Sequence, residues 1–162
     1  MSEDLREELF PLIEEELELM TKAAEVLNYS YDKCKQIGIK DEYDFDELDR
    51  FESLTSRFAR LSDLLIQKIF RLIDKIDLEM EGTTRDRINR AERKELIKSA
   101  DDFIKIRILR NEIAHEYVPE DVQKLFEKVL NYTPVILDSV KRVEVYCKKY
   151  SNDESSSGKE RE

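Results

Sequence analysis

F-E-S-L-T-S-R-F-A-R-L-S-D-L-L-I-Q-K-I-F-R-L-I-D-K-I, residues 51–76, sets Phe51, Leu54, Phe58, Leu61, Leu65, Ile69, Leu72 and Ile76 at steps of three and four. That recurrence marks an amphipathic helix and predicts one from about Asp44 to Asp77. Leu64, Ile66, Phe70 and Ile73 widen its apolar surface beyond a narrow seam, so the helix is either central to its own bundle or shared with a partner chain. The spacing also fits a coiled coil; neighbours of similar length favour a bundle.

Outward from this helix the chain reads as more helix. Leu9, Leu12, Ile13, Leu17, Met20, Leu27, Tyr31 and Cys34 repeat at the same steps, which predicts a first helix from Leu5 or Phe10 to about Lys35. Pro11 suits a first turn or a kink, and Gly38 closes the helix. Thr83 or Thr84 is placed to cap a short helix over about Arg85 to Ile97. Ser99 and Asp102 resemble a capping box and mark a fresh N-terminus, from which a helix reaches about Tyr117. Pro119, Glu120 and Asp121 restart the chain as a last helix, expected to kink or break briefly at Pro134. The fold class is all-α, a bundle of four to five helices over residues 1–150, with a disordered polar tail at 151–162.

Length and composition bound the function. A chain of 162 residues suits one domain. Its formal charge of −10 speaks against a protein that simply coats nucleic acid, because such affinity rests on Lys and Arg. The charge is unevenly distributed. Residues 1–20 carry eight acids against one base, and residues 85–110 carry nine bases against five acids. The basic stretch is either a track for phosphate or a set of solvated helix faces. Cys34 and Cys147 show no metal-ligand or redox spacing and read as reduced core thiols. The acidic N-terminus and the lack of a long apolar run predict a cytoplasmic protein with no membrane segment.

The basic stretch leads into R-I-L-R-N-E-I-A-H-E-Y-V-P, residues 107–119, which holds the only histidine, His115. A guanidinium (Arg110), an amide (Asn111), an imidazole (His115) and a phenol (Tyr117) gather here at close spacing. On a helix each residue turns about 100° and rises about 1.5 Å, so Asn111 and His115 share a stripe while Arg110 and His115 point about 140° apart. Aiming both at one phosphate requires the helix to end near His115, as Pro119 favours, or two copies of the motif to meet across a symmetric interface. Arg110 offers a planar fork of donors for phosphoryl oxygens. His115 near a helix C-terminus suits acid-base chemistry, since the dipole there favours an imidazolium. Each residue has a plainer role: a surface ion pair for Arg110, a helix cap for His115, a half-buried aromatic for Tyr117. No histidine-acid cluster, C-x2-C pair or Gly-rich phosphate loop occurs, so no metal or cofactor is expected.

R-N-E-I-A-H-E-Y resembles the R-x4-H-x-Y motif of HEPN domains, in the form found in HepT-like toxins of type VII HEPN/MNT toxin-antitoxin pairs, with Arg110, His115 and Tyr117 in the matching places and Asn111 as the polar residue after the arginine. The resemblance covers about residues 1–150. It implies a homodimeric, metal-independent endoribonuclease acting on tRNA or mRNA, with Arg110 and His115 catalytic and Asn111 supporting them. It also implies a cognate MNT-type nucleotidyltransferase antitoxin that adds AMP to Tyr117. The alternatives are a non-catalytic HEPN-type module that binds a nucleotide or a nucleotidyltransferase partner, and a helical scaffold without an active site. One imidazole per chain serves poorly as both acid and base, and the broad apolar surface of residues 51–76 asks for cover; both point to a homodimer.

Overall fold

Helix α1 runs Glu3–Ile37, α2 Phe45–Asp63, α3 Phe70–Ile76, α4 Thr84–Arg93, α5 Ala100–Ala114 and α6 Val122–Lys159. The structure, a computed structural model, describes residues 3–115 and 122–159, with side chains described as far as residue 151. Among the described residues there is no strand. A π-helical segment, Leu64–Ile69, joins α2 to α3 without interruption. The three form one rod, capped at its start by Asp44, whose side chain accepts from the Glu47 amide at 2.8 Å while Glu47 accepts from the Asp44 amide at 3.1 Å.

The rod is the centre of the bundle. Phe51, Leu54, Phe58, Leu61, Leu65, Ile69 and Ile76 are fully buried among Ile13, Met20 and Leu27 of α1, Phe103 and Ile106 of α5, and Phe126, Val129 and Ile136 of α6. Phe51 stacks on Phe126 with ring centroids 4.5 Å apart. Of the two possibilities the sequence left open, the chain therefore covers this helix itself. Its breadth no longer argues for a second copy. The π-helical segment was not anticipated, yet its signal lies in the spacing. Steps of four repeat at Leu61, Leu65 and Ile69, and each such step drifts about 40° on an α-helix. A wider turn cancels that drift and keeps all three in the core.

The other helices differ from expectation mainly at their ends. α1 begins at Glu3, ahead of both expected starts, and carries Pro11 inside. α4 stops at Arg93 rather than Ile97 because Glu95 is left-handed (φ 62°). The amides of Glu95 and Leu96 return to the carbonyls of Glu92 and Ala91, both at 2.9 Å, a Schellman closure that turns Leu96 and Ile97 into the core. α3 ends the same way, with Leu78 at φ 63° and its amide and that of Glu79 returning to Lys75 and Asp74. Only at α1 is the left-handed residue a glycine, Gly38 at φ 76°. α6 passes through Pro134 as one helix, with the buried Thr133 hydroxyl donating to the Val129 carbonyl at 2.6 Å. It continues to Lys159. An existing helix extends at one hydrogen bond per residue and needs no new nucleus.

Both cysteines are free and buried. Burial pushes the Cys34 thiol up to about 11 and the Cys147 thiol up to about 12, so both are inert protonated core groups. No described helix is long and apolar enough to cross a membrane.

Candidate functional site

α5 starts at Ser99, whose hydroxyl accepts from the Asp102 amide at 3.2 Å. The carboxylate of Glu92 takes the Ala100 amide at 2.5 Å. Ala100, Phe103, Ile106 and Leu109 face the core, which leaves Arg107, Arg110 and Asn111 on one outer edge at steps of three and four. These three line a groove of ≈ 870 Å³ whose opposite walls are α1, through Leu19, Lys22, Ala23 and Val26, and the rod around its π-helical segment, through Arg60, Asp63, Leu64, Ile66 and Lys68. Five bases line it against one acid. In a chain of charge −10, the groove is a local reversal of sign that favours anions.

Arg110 is held at the groove edge by Asp63, the last residue of α2. Its Nε donates to Oδ1 at 2.7 Å and its Nη2 to Oδ2 at 2.9 Å. The hydrogen bonds to Asp63, and then its charge, raise the guanidinium pKa above its ordinary value. A guanidinium has five N–H donors. The Asp63 fork uses two, so three remain outside the pair, on a side chain whose orientation is already set. The rod beneath is itself braced. Buried Arg87 donates Nη1 to the Ile66 carbonyl at 3.1 Å and to Gln67 Oε1 at 3.4 Å, giving a partner to a carbonyl inside the π-helical segment. Burial lowers the Arg87 pKa.

His115 lies at the end of the same helix. α5 ends at Ala114, three residues before the expected Tyr117, and His115 is its cap with extended backbone (φ −88°, ψ 156°). Its amide is shared between the carbonyls of Asn111 and Glu112, each at 3.2 Å. Only the chain beyond His115 leaves the helix, since its φ stays near the helical value while its ψ is extended, so the wide angle between the Arg110 and His115 side chains persists. The His115 side chain is exposed and is not among those lining the groove. The described link from Asn111 to His115 runs through the backbone rather than through the amide and imidazole side chains. Tyr117 and Pro119 lie outside the described residues.

The basic stretch 85–110 does not form one track. Arg107 and Arg110 reach the groove, while Arg90, Arg93 and Lys94 turn to a second polar cluster. There Asp74 accepts from Arg90 Nε at 3.0 Å and Lys94 Nζ at 2.9 Å, and Lys94 also lies 3.1 Å from Asp77. Arg93 pairs with Glu79 at 3.4 Å. The Tyr146 hydroxyl donates to Asp77 Oδ2, and the Tyr150 hydroxyl to Oδ1 at 2.9 Å. Burial acts to raise the Asp77 carboxyl, but the two phenols and the Lys94 ammonium outweigh it and hold that carboxyl below its usual range. Burial, together with Asp77, pushes both phenols up.

Of the groove residues, Asp63, Lys22, Arg60 and Lys68 had not been singled out in sequence. Each is an ordinary charged position on a helix, and only the packing of α1 and the rod against α5 brings them to Arg110. Compared with models of known protein families and with curated proteins, the chain matches none.

Proposed function

We propose that this chain is a HEPN-type, HepT-like ribonuclease toxin: a homodimeric helical bundle, its last helix bent at Pro134, that cuts RNA without a metal in the cytoplasm and is neutralised by an MNT-type nucleotidyltransferase. One observation carries the reading. Arg110 is fixed by Asp63 on the edge of the positively charged groove with three donors to spare, and the helix that carries it ends at the exposed His115. In this mechanism a base takes the proton of a ribose 2′-hydroxyl and the 2′-oxygen attacks the adjacent phosphorus. The bond to the 5′-oxygen then breaks, and an acid protonates the leaving oxygen. His115 supplies proton transfer, and Arg110 holds the phosphoryl oxygens as charge builds on them. RNA is cut and DNA is spared, because only RNA has the 2′-hydroxyl. AMP added to Tyr117, two residues beyond His115 in the sequence, is an anion that competes with the substrate phosphate for guanidinium donors.

The test is an RNA oligonucleotide incubated with purified protein. Products ending in a 2′,3′-cyclic phosphate, unchanged by EDTA and lost when the cut nucleotide is 2′-deoxy, are expected. Inhibition by EDTA, or full activity of His115→Ala, overturns the mechanism. The second reading, a non-catalytic module that binds a nucleotide or a nucleotidyltransferase, is favoured by the lining of the groove without His115. It predicts nucleotide binding that survives His115→Ala, is lost with Arg110→Ala, and is accompanied by no cleavage.

A further inference from the structure

The groove between α1, the rod and α5 is more apolar than a track for phosphates requires. Its floor includes Leu64 and Ile66, both buried. Its α1 wall is the stripe Leu19, Ala23 and Val26, at steps of four and three, with Leu19 and Val26 standing 51% and 40% exposed. Burial separates these groups from the cations. Lys22, Arg60, Lys68 and Arg107 are exposed at the rim, and Arg110 is half-buried against Asp63. One groove therefore has an aliphatic bottom and a positively charged edge.

Nucleobases are held largely by stacking on aromatic rings or guanidinium planes and by hydrogen bonds to their edges. No aromatic side chain is among the described residues that line the groove, so its floor offers a base no ring to stack on. An aliphatic chain needs none, because its burial is non-directional and scales with apolar area. A volume of ≈ 870 Å³ lies within the range of small-molecule sites, where a mostly apolar lining is joined by a few polar groups that fix orientation. The stripe from Leu19 to Val26 is about 10 Å long, and Arg107 and Arg110 line the opposite wall one turn apart on α5. Arg110, aligned by Asp63, keeps three N–H donors outside that pair, and a guanidinium fork matches phosphoryl oxygens. Five bases against one acid favour a head that carries more than one negative charge.

We propose that the groove binds a single-chain aliphatic phosphate monoester, its chain laid on Leu64 and Ile66 along the Leu19–Ala23–Val26 stripe and its phosphate held by Arg107 and Arg110. This goes beyond the ribonuclease reading and does not depend on it. The two share Arg110, so a bound alkyl phosphate and an RNA phosphate exclude each other.

Titration calorimetry with octyl, decyl and dodecyl phosphate, below the concentrations at which they self-associate, tests the site. Affinity is expected to rise by up to about fourfold per added methylene. Inorganic phosphate, the head alone, and octyl glucoside, the chain on a neutral head, are expected to bind far more weakly than octyl phosphate. Leu19→Asn/Val26→Asn, at half-exposed positions, should flatten the dependence on chain length. Arg107→Ala/Arg110→Ala should weaken all three ligands by a similar factor and keep that dependence. Circular dichroism checks that each variant is folded, and Arg60→Glu/Lys68→Glu, at fully exposed positions, should weaken all three ligands even where the asparagine pair fails to fold. Affinity independent of chain length, octyl glucoside binding as tightly as octyl phosphate, or an unchanged chain-length dependence in the folded asparagine variant overturns the proposal. RNA cleavage is followed in parallel. Cleavage by a protein that binds no alkyl phosphate removes this site and keeps the ribonuclease; binding by a protein that never cleaves keeps the site and removes the ribonuclease.

Discussion

The pair at the groove and the cluster beneath α6 are built from the same groups and end in opposite states. Arg110 and Asp63 form one fork, with side chains 35% and 44% exposed and three guanidinium donors outside it. Asp77 is 15% exposed in its side chain and receives Lys94, Tyr146 and Tyr150 together. A partly buried carboxylate whose lone pairs are filled from several sides ties elements together. A half-exposed arginine aligned by one acid, with donors left over in a basic groove, keeps those donors open to an anion. Saturation and exposure, more than the presence of a charge pair, separate a latch from a site.

Four experiments would break or sharpen that contrast. The largest effect is expected at the site: His115→Ala lowers RNA cleavage by about 10²- to 10⁴-fold and Arg110→Ala by about 10²- to 10³-fold. Thermal unfolding stays close to wild type in both, because both residues are at the surface. Loss of folding in Arg110→Ala would make the groove pair a latch as well.

Next is the cluster. Asp77→Ala leaves two phenols and an ammonium without their shared acceptor and is expected to cost about 3 kcal/mol, read by chemical denaturation, with no specific effect on RNA. The sign of its pH dependence follows from a folded pKa held below the ordinary 3.8. Its contribution is complete above about pH 4 and is lost as pH falls through the depressed folded value. The stability gap between wild type and Asp77→Asn should therefore shrink in acid; a gap that widens there would contradict the assignment.

A smaller change is expected for Asp63→Asn, which keeps the shape and removes the charge that aligns Arg110. Misalignment predicts roughly a 10-fold fall in kcat with little change in KM. A fall in KM alone would place Asp63 in substrate exclusion instead. The smallest effect is at the turn that presents Asp77. Leu78→Gly relieves a left-handed leucine (φ 63°, 57% exposed) and is expected to raise stability by about 0.5–1 kcal/mol; a loss of stability would show that the leucine side chain is needed there.

What the chain alone determined is the part written in local periodicity and caps. The row from Phe51 to Ile76 specified a central helix, Asp44 and Ser99 marked helix starts, and Gly38 marked a helix end. These signals were legible because they act within a few residues of one another. The ends of α3 and α4 were not, since Leu78 and Glu95 take a left-handed conformation with no glycine to announce it. Tertiary structure alone decided which charges meet. Asp63 and Arg110 are 47 positions apart, and nothing local distinguishes Arg107 at the groove from Arg90 in the latch. Both are arginines on amphipathic helices, and their roles follow from which neighbouring helix packs beside them, a choice made by the burial of the rod rather than by the arginines.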